Sequence, residues 1–452
     1  MIGMSWSDWL LWFWFFLALV SIVAGWVWTI ILYIAGGQYL KELAQRPLGH
    51  EENYLWVFLV PALNEGVTIA DSVARLRAVN AAHKLVIVIN DGSDDDTGEV
   101  LERIAGPDLE VHTRVLPNAR KGKAVALNDA FAMVESKLAT LPALRNWTPD
   151  QIIFGIVDAD GRLDHDAPKF LACHFDNPQV GGVQLNVVIY NDTTWLTRMQ
   201  ALEFRVFGQL FQVGRARWGA SFMGGNGQFN RMSALKSVAS ADGPWSEFLT
   251  EDQELGLRLL ERGWLGEHEP RSFVAQQGLN SLSRLYRQRT RWMQGNLQVC
   301  AEIARVHSFY LLGRRRFDVL FTLLMPILQI VVGVAVVLSV VLAIGFGVPY
   351  LPLDEPLLMG YFVIMAFGPT TVSVLVQARG QDAHGRIAAI KATPNYLAYT
   401  WLMWPVVFRG VYSQLRGNKT WAKTAREKIA GTVETEDNPA DEAQDEASPS
   451  SS

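Results

Sequence analysis

With 452 residues, half of them hydrophobic, the chain has material for one large domain plus membrane-spanning helices, and its 16 tryptophans suit a protein that meets a lipid interface. The formal net charge of -5 gives no basis for a nucleic-acid partner, and much of the acidity is gathered between Glu427 and Ser452 in a Ser-, Pro- and Ala-rich stretch that reads as a disordered tail. Cys173 and Cys300 are the only cysteines. They cannot build a disulfide framework and lack metal-ligand spacing, which argues against a secreted protein and for a catalytic domain in a reducing compartment.

The first apolar run, Trp9 to Ile34, exceeds the ~20 residues needed to cross a bilayer. No basic residue precedes it, whereas Lys41 and Arg46 follow, so the positive-inside bias puts the N-terminus outside and residue 41 onward in the cytoplasm. The expected N-terminal transmembrane helix occupies residues 1–37, and a cytoplasmic domain is expected over 38–280.

Within that domain apolar runs alternate with amphipathic stretches, the signature of strands and helices in a mostly parallel α/β sheet. Leu55 to Val60, Leu85 to Ile89 and Ile152 to Val157 read as strands that end in polar turns. After the second comes Asn90-Asp91-Gly92-Ser93-Asp94-Asp95-Asp96-Thr97. A carboxylate here can accept from a ribose hydroxyl or a base N–H, with glycine allowing the tight turn; it can equally cap the next helix. Asp94, Asp95 and Asp96 read as capping and solvated surface.

Lys121-Gly122-Lys123 precedes a helical pattern over Ala124 to Ser136. Free amides at a helix start beside lysines favour phosphate, although two lysines can also be simply solvated. Asp158-Ala159-Asp160 closes the third strand, where a bend lets two carboxylates one residue apart approach one divalent ion. Mg²⁺ or Mn²⁺ prefers such hard oxygens and shares phosphate oxygens with a substrate. Thr250-Glu251-Asp252 leads into a helix over Gln253 to Glu261, with Thr250 as the expected cap. A carboxylate there can deprotonate an acceptor hydroxyl, or serve the helix start electrostatically.

Gln288, Arg291 and Trp292 share one helical face with Arg284 and Gly295 in a segment, 281–316, expected to lie amphipathically at the interface. An arginine can pair with a diphosphate and tryptophan offers a flat surface to a sugar ring; an arginine-rich helix facing lipid headgroups is the other reading. Membrane helices are expected at 317–348, behind Arg314-Arg315-Arg316, and at 356–378. A fourth run, residues 396–412, contains Pro405 and Arg409 and precedes the basic stretch Lys419 to Lys428. An interfacial or re-entrant placement keeps those bases inside; a spanning one exports them.

In this order the motifs resemble the family 2 glycosyltransferases that are membrane-integrated polysaccharide synthases, such as cellulose, hyaluronan and poly-N-acetylglucosamine synthases. The resemblance runs from about Trp56 to Gln298 and includes Val60-Pro61-Ala62-Leu63-Asn64-Glu65 and Gly122-Lys123-Ala124. It implies a nucleotide-diphospho-sugar transferase fold, a mostly parallel mixed sheet with helices on both faces, joined to transmembrane α-helices. It further implies an inverting hexosyltransferase that uses a nucleotide-diphosphate sugar, UDP-linked by family habit, and Mg²⁺ or Mn²⁺. Carried over residue by residue, Ala62, Glu65, Asp91, Lys123 and Asp158 would hold the donor, with Asp91 on the uridine. Asp160, with Asp158, would hold the metal. Asp252 would be the general base with Glu251 beside it, and Gln288, Arg291, Trp292 and Asn226 would hold the diphosphate and acceptor. Gly224-Gly225-Asn226-Gly227-Gln228 departs from the family at its Asn and Gln, and Trp421 to Arg426 resembles a closing segment after the last membrane element.

Three functions compete. A processive synthase would extend a β-linked glycan at the plasma membrane and pass it along polar groups such as Gln329, Thr370, Thr371, Ser373 and Gln377. With only three or four spans, this reading leaves room for a homo-oligomer or partner subunit. A non-processive enzyme would add one sugar to a lipid acceptor, against which Gln288 to Trp292 argues by the resemblance. A binding-only sensor or transporter would not need Asp252.

Overall fold

The computed structural model describes residues 6–140, 144, 146–306, 310–346, 356, 367–368, 370–374 and 383–417. The expected helix at 356–378 lies largely outside these residues, as do Gln377, Trp421 to Arg426 and the 427–452 tail.

Eight strands form one mixed sheet in the order β3-β2-β1-β4-β7-β6-β8-β5. Its parallel half comprises β1 (Leu55–Ala62), β2 (Lys84–Asn90), β3 (Leu109–Thr113) and β4 (Ile152–Ile156). The other half holds β5 (Arg162–Leu163), β6 (Val180–Ile189), β7 (Gln228–Arg231) and β8 (Leu265–Gln276). There β7 runs antiparallel to both β4 and β6, while β6 and β8 are parallel. Along β1 the side chains alternate as strand geometry requires. Trp56, Phe58, Val60 and Ala62 enter one core and Leu55, Val57 and Leu59 the other, so both faces are covered. This explains why these strands read as continuous apolar runs rather than as alternating ones.

The helices follow that division. In chain order, after the N-terminal α1 (Trp6–Gln45), they are α2 (Ile69–Arg77), α3 (Thr97–Arg103), α4 (Lys123–Thr140) and α5 (Ala167–Phe175). Leucines and valines of α2, α3 and α5 fill the first core, and Leu127, Phe131 and Val134 of α4 fill the second. Next come α6 (Trp195–Val206), a π-helical stretch Phe207–Gln212, α7 (Val213–Ala216), α8 (Met232–Val238), α9 (Glu251–Glu261) and α10 (Leu282–Ala301). The last are α11 (Gly313–Phe346), α12 (Ala383–Leu402) and α13 (Trp404–Leu415).

Among the described residues two helices, α1 and α11, are long and apolar enough to cross a membrane. The first continues to Gln45 instead of stopping near residue 37, because Tyr39 and Leu43 are buried against Val213 and Ala216 of α7. At 1.5 Å per residue, about 20 of its 40 residues would suffice for a bilayer, and its C-terminal end forms a stalk docked on α7. The run at 396–412 is two helices: α12 ends at Leu402 and α13 begins at Trp404, with Pro405 in its first turn where a missing N–H costs nothing. Gln329 is exposed on α11, and the Thr371 hydroxyl donates to the carbonyl of Phe367 at 3.0 Å.

Candidate active site

The sheet order places β1 between β2 and β4, so the chain leaves β1 and its two neighbours at one shared edge, where open α/β sheets form ligand crevices. Ala62 pairs with Asn90, and the Asp91 N–H donates to the Ala62 carbonyl at 2.9 Å. On the other side the Val157 N–H donates to Leu59 at 3.0 Å, bringing Asp158 to the same rim. Ala62, Glu65, Asp91 and Asp158 thus line one cleft with Asp160. Lys123 enters it from the first turn of α4, Asn226 from the loop before β7, Glu251 and Asp252 from the first turn of α9, and Gln288, Arg291 and Trp292 from α10. The residues assigned from the sequence to donor, metal, base and acceptor are brought together there.

Asp91 is buried and held by two partners. The Arg114 guanidinium donates to Oδ1, and the backbone N–H of Arg120 reaches the same oxygen at 3.0 Å. Arg120 adopts φ 63°, a left-handed conformation disfavoured for a side-chain-bearing residue, and its Nε donates to the Gly92 carbonyl at 2.8 Å. Burial pushes the Asp91 carboxyl up, against the pull of these donors. Arg114 was not legible in the sequence. Nearby, Asp95 accepts from the backbone N–H of Thr97 at 3.1 Å at the start of α3, Asp94 pairs with Arg120 at 2.9 Å, and Asp96 makes no side-chain cap.

Lys123 Nζ donates to Asp158 Oδ1 at 2.6 Å. Desolvation alone would depress this ammonium, but Asp158, Glu251 and Asp252 around it hold it above its ordinary value. Asp160 Oδ2 accepts from the Gln277 N–H at 2.9 Å, and Asn226 Oδ1 accepts from the Asp158 N–H at 3.1 Å. Asn226 is fixed in turn by its Nδ2 donating to Gln276 Oε1 at 2.9 Å. Among the lining side chains Glu65, Asp158, Asp160, Glu251 and Asp252 outnumber the cations Lys123 and Arg291, while Asp91 is already answered by Arg114 from behind the cleft. That excess of carboxylates disfavours a bare diphosphate, and a divalent cation would offset it. The hard oxygens of Asp158 and Asp160 are the donors such an ion takes, so the residues fit it.

A separate cluster, Cys173, His174 and Glu269, also brings potential ligand atoms within 4.8 Å of one another. It is an ion-pair network. His174 bridges Glu267 and Glu269 at 3.0 and 2.9 Å, Arg271 donates to Glu269 at 2.6 Å and to Cys173 Sγ at 3.3 Å, and Arg46 lies 3.6 Å from Glu267. Two guanidiniums and the imidazole already answer its two carboxylates.

Asp252 is pushed up to about 7, first by desolvation and then by its neighbour Glu251, against the Gln253 N–H, Lys123 and Arg291. Thr250 occupies the expected N-cap position but makes no side-chain cap; its buried hydroxyl faces α10 instead. Gly225, at φ 76°, passes so close that a Cβ there would sit 2.9 Å from Asp252 Oδ2. Gly295 plays the same part for α10, since a Cβ would come within 2.6 Å of Thr250 Cγ2. Gln298 Oε1 then accepts from the Leu249 N–H at 3.1 Å, clamping α10 onto the turn that carries Glu251 and Asp252.

Residues 57–238 match the family described as Glycosyl transferase family 2, and residues 153–376 match Glycosyl transferase family group 2. Together the two matches run over residues 57–376, and the chain carries the domain of glycosyl transferase family 2. It is similar to the poly-beta-1,6-N-acetyl-D-glucosamine synthase of Staphylococcus aureus (strain COL), with 28% identity over 246 residues that make up 54% of each chain. The synthase of the same description from Staphylococcus epidermidis is 26% identical over 289 residues, 60% of this chain and 64% of that one. The match thus spans between half and two thirds of these relatives' own lengths. A mannosyltransferase from Pyrobaculum calidifontis in complex with GDP-Man and Mn²⁺ shares the fold, with 17% identity and a TM-score of 0.53 over 89% of this chain and 99% of that one. The fold is therefore the expected nucleotide-sugar transferase type, a mixed sheet with helices on both faces.

Proposed function

We infer that the protein is an inverting membrane glycosyltransferase that moves a hexose from a nucleotide-diphosphate sugar, UDP-linked, onto a growing β-linked polysaccharide. One observation carries this reading: donor-type, metal-type and base-type carboxylates share a single cleft with Gln288, Arg291 and Trp292. The match to poly-beta-1,6-N-acetyl-D-glucosamine synthases over more than half of the chain supports a polymeric product. In this reading 38–280 is the cytoplasmic catalytic domain, anchored by α1, α11 and the 356–378 run in the plasma membrane.

Asp91, with Ala62 and Glu65 beside it, receives the nucleoside, and Lys123 faces the diphosphate from the start of α4, where free amides also favour anionic oxygens. Asp158 and Asp160 would hold Mg²⁺ or Mn²⁺, which when bound supplies neutralising charge to the diphosphate. Trp292 offers a platform to the acceptor sugar, and Arg291 pairs with the diphosphate. The acceptor hydroxyl oxygen attacks the anomeric carbon as Asp252 takes its proton. The bond from that carbon to the diphosphate oxygen breaks, and its electron pair leaves with the nucleoside diphosphate. Attack opposite the leaving group turns an α-linked donor into a β-linked product.

A panel of nucleotide sugars screened for nucleoside-diphosphate release with the purified full chain tests the reading. One donor should be turned over in a metal-dependent way; no release from any donor would reject it.

A further inference from the structure

Phe204 of α6 and Trp292 of α10 stand edge to face in the cleft wall, with ring centroids 6.3 Å apart. Arg289, one turn before Trp292, is buried behind them and outside the cleft lining. Its guanidinium carbon lies 4.1 Å from the Trp292 centroid and 5.6 Å from that of Phe204, so one cation braces both rings. Nη2 donates to Glu203 Oε2 at 2.6 Å, and the same oxygen accepts from the Tyr399 hydroxyl at 2.8 Å. Tyr399 belongs to α12, which is tied to α6 and α10 elsewhere as well. Trp195 Nε1 donates to Asn395 at 3.2 Å, and the Tyr286 hydroxyl donates to the Leu402 carbonyl at 2.5 Å.

We propose that Arg289 is a positioning residue for the acceptor, and that the chain Tyr399–Glu203–Arg289 sets the angle of the Trp292 ring and so couples acceptor binding to α12. The inference rests on the reading of Trp292 as the acceptor platform. A planar guanidinium can stack on an indole and still send a fixed N–H to Glu203, whereas an ammonium of the same charge cannot do both. Because the Arg289 charge is already answered by Glu203, its work is geometric: with its position held, the indole presents a fixed surface to the next pyranose. The link through Tyr399 makes that surface sensitive to where α12 sits relative to α6 and α10.

Steady-state kinetics on the full-length protein, with donor binding followed separately by titration with nucleoside diphosphate, tests this. Arg289→Lys should raise the acceptor KM about 5- to 30-fold, as expected when a planar guanidinium stacked on the indole is replaced by an ammonium that cannot also hold Glu203, and leave the nucleoside-diphosphate Kd within about twofold. Tyr399→Phe, which removes one hydroxyl and preserves packing, should shift the acceptor KM in the same direction by a smaller factor, also with unchanged donor Kd. Should Arg289→Lys fail to fold, Tyr399→Phe decides alone. An unchanged acceptor KM in an active protein, or a donor Kd that weakens in step with it, overturns the inference. Absence of turnover in the unmodified protein instead overturns the proposed function, and this inference with it.

Discussion

Replacing Asp252 by Asn isolates the proton-accepting step. In the unmodified protein desolvation and Glu251 push this carboxyl up to about 7, so it is about half ionised at neutral pH. The rate should then fall about tenfold at pH 6 and about a hundredfold at pH 5 relative to the alkaline plateau, since only the ionised form accepts the acceptor proton. Asn keeps the size and removes the base. We expect kcat to drop about 10²- to 10⁴-fold, the usual worth of a positioned base, and the acid limb near pH 7 to disappear. Lys123 and Arg291 remain, so the nucleoside-diphosphate Kd should change by no more than about twofold. Stability moves the other way. A carboxyl raised above its unfolded value contributes stability that is fully present below about pH 4 and is lost as pH rises to about 7. Asp252→Asn should therefore melt progressively higher relative to its parent from about pH 4 to about pH 7, with a constant difference above that. Turnover across pH with parallel nucleotide titration is the assay; a variant that keeps the acid limb, or loses less than tenfold in kcat, refutes the assignment.

Gly225→Ala places a Cβ 2.9 Å from Asp252 Oδ2 at a left-handed φ of 76°, so it should cost about 1–2 kcal/mol of stability and lower kcat more than donor affinity, read by thermal melting and kinetics. His174 is fully buried between Glu267 and Glu269 and raised above its usual value, so its stabilisation is complete below about pH 6.5 and lost as pH rises through the folded value. Glu269, lowered from 4.5 to about 2, contributes stability that is fully present above about pH 4.5 and lost as pH falls to about 2. His174→Gln should cost about 3–5 kcal/mol near pH 6, and it should flatten the alkaline decline in melting temperature. Stripping divalent cations should abolish nucleoside-diphosphate release, with Mg²⁺ or Mn²⁺ restoring it; full turnover in excess chelator would contradict the roles given to Asp158 and Asp160.

The parts of this site legible in the sequence were those whose chemistry is local. Asp91, Asp158 and Asp160 follow strand ends, Lys123 and Asp252 fall in first turns, and Gln288, Arg291 and Trp292 share a helical face, so local pattern marked them as candidates while their roles came from the family resemblance. Their partners come from far along the chain. Arg114 reaches Asp91 across 23 residues, and Glu203 reaches Arg289 across 86, distances over which periodicity carries no signal. Arg289 itself sat inside the recognised segment, but its burial against Phe204 follows only from how α6 meets α10. Gly225 stood in a motif compared with the family and Gly295 on the Gln288 face, but only the backbone shows what a Cβ at either would strike. The stalk of α1 was missed because Tyr39 and Leu43 read as the flank of a membrane run, whereas tertiary contacts keep that flank helical.

The central claim is tested most directly by the product. The purified full chain is incubated with the labelled nucleotide sugar that it turns over and with a divalent cation, and the label is then sized and extracted. The account predicts high-molecular-weight material cleaved by a β-specific glycosidase, absent with Asp252→Asn. A single-sugar product that extracts into organic solvent would contradict polymer synthesis and favour a lipid acceptor, and label remaining in the donor would contradict glycosyl transfer at this cleft.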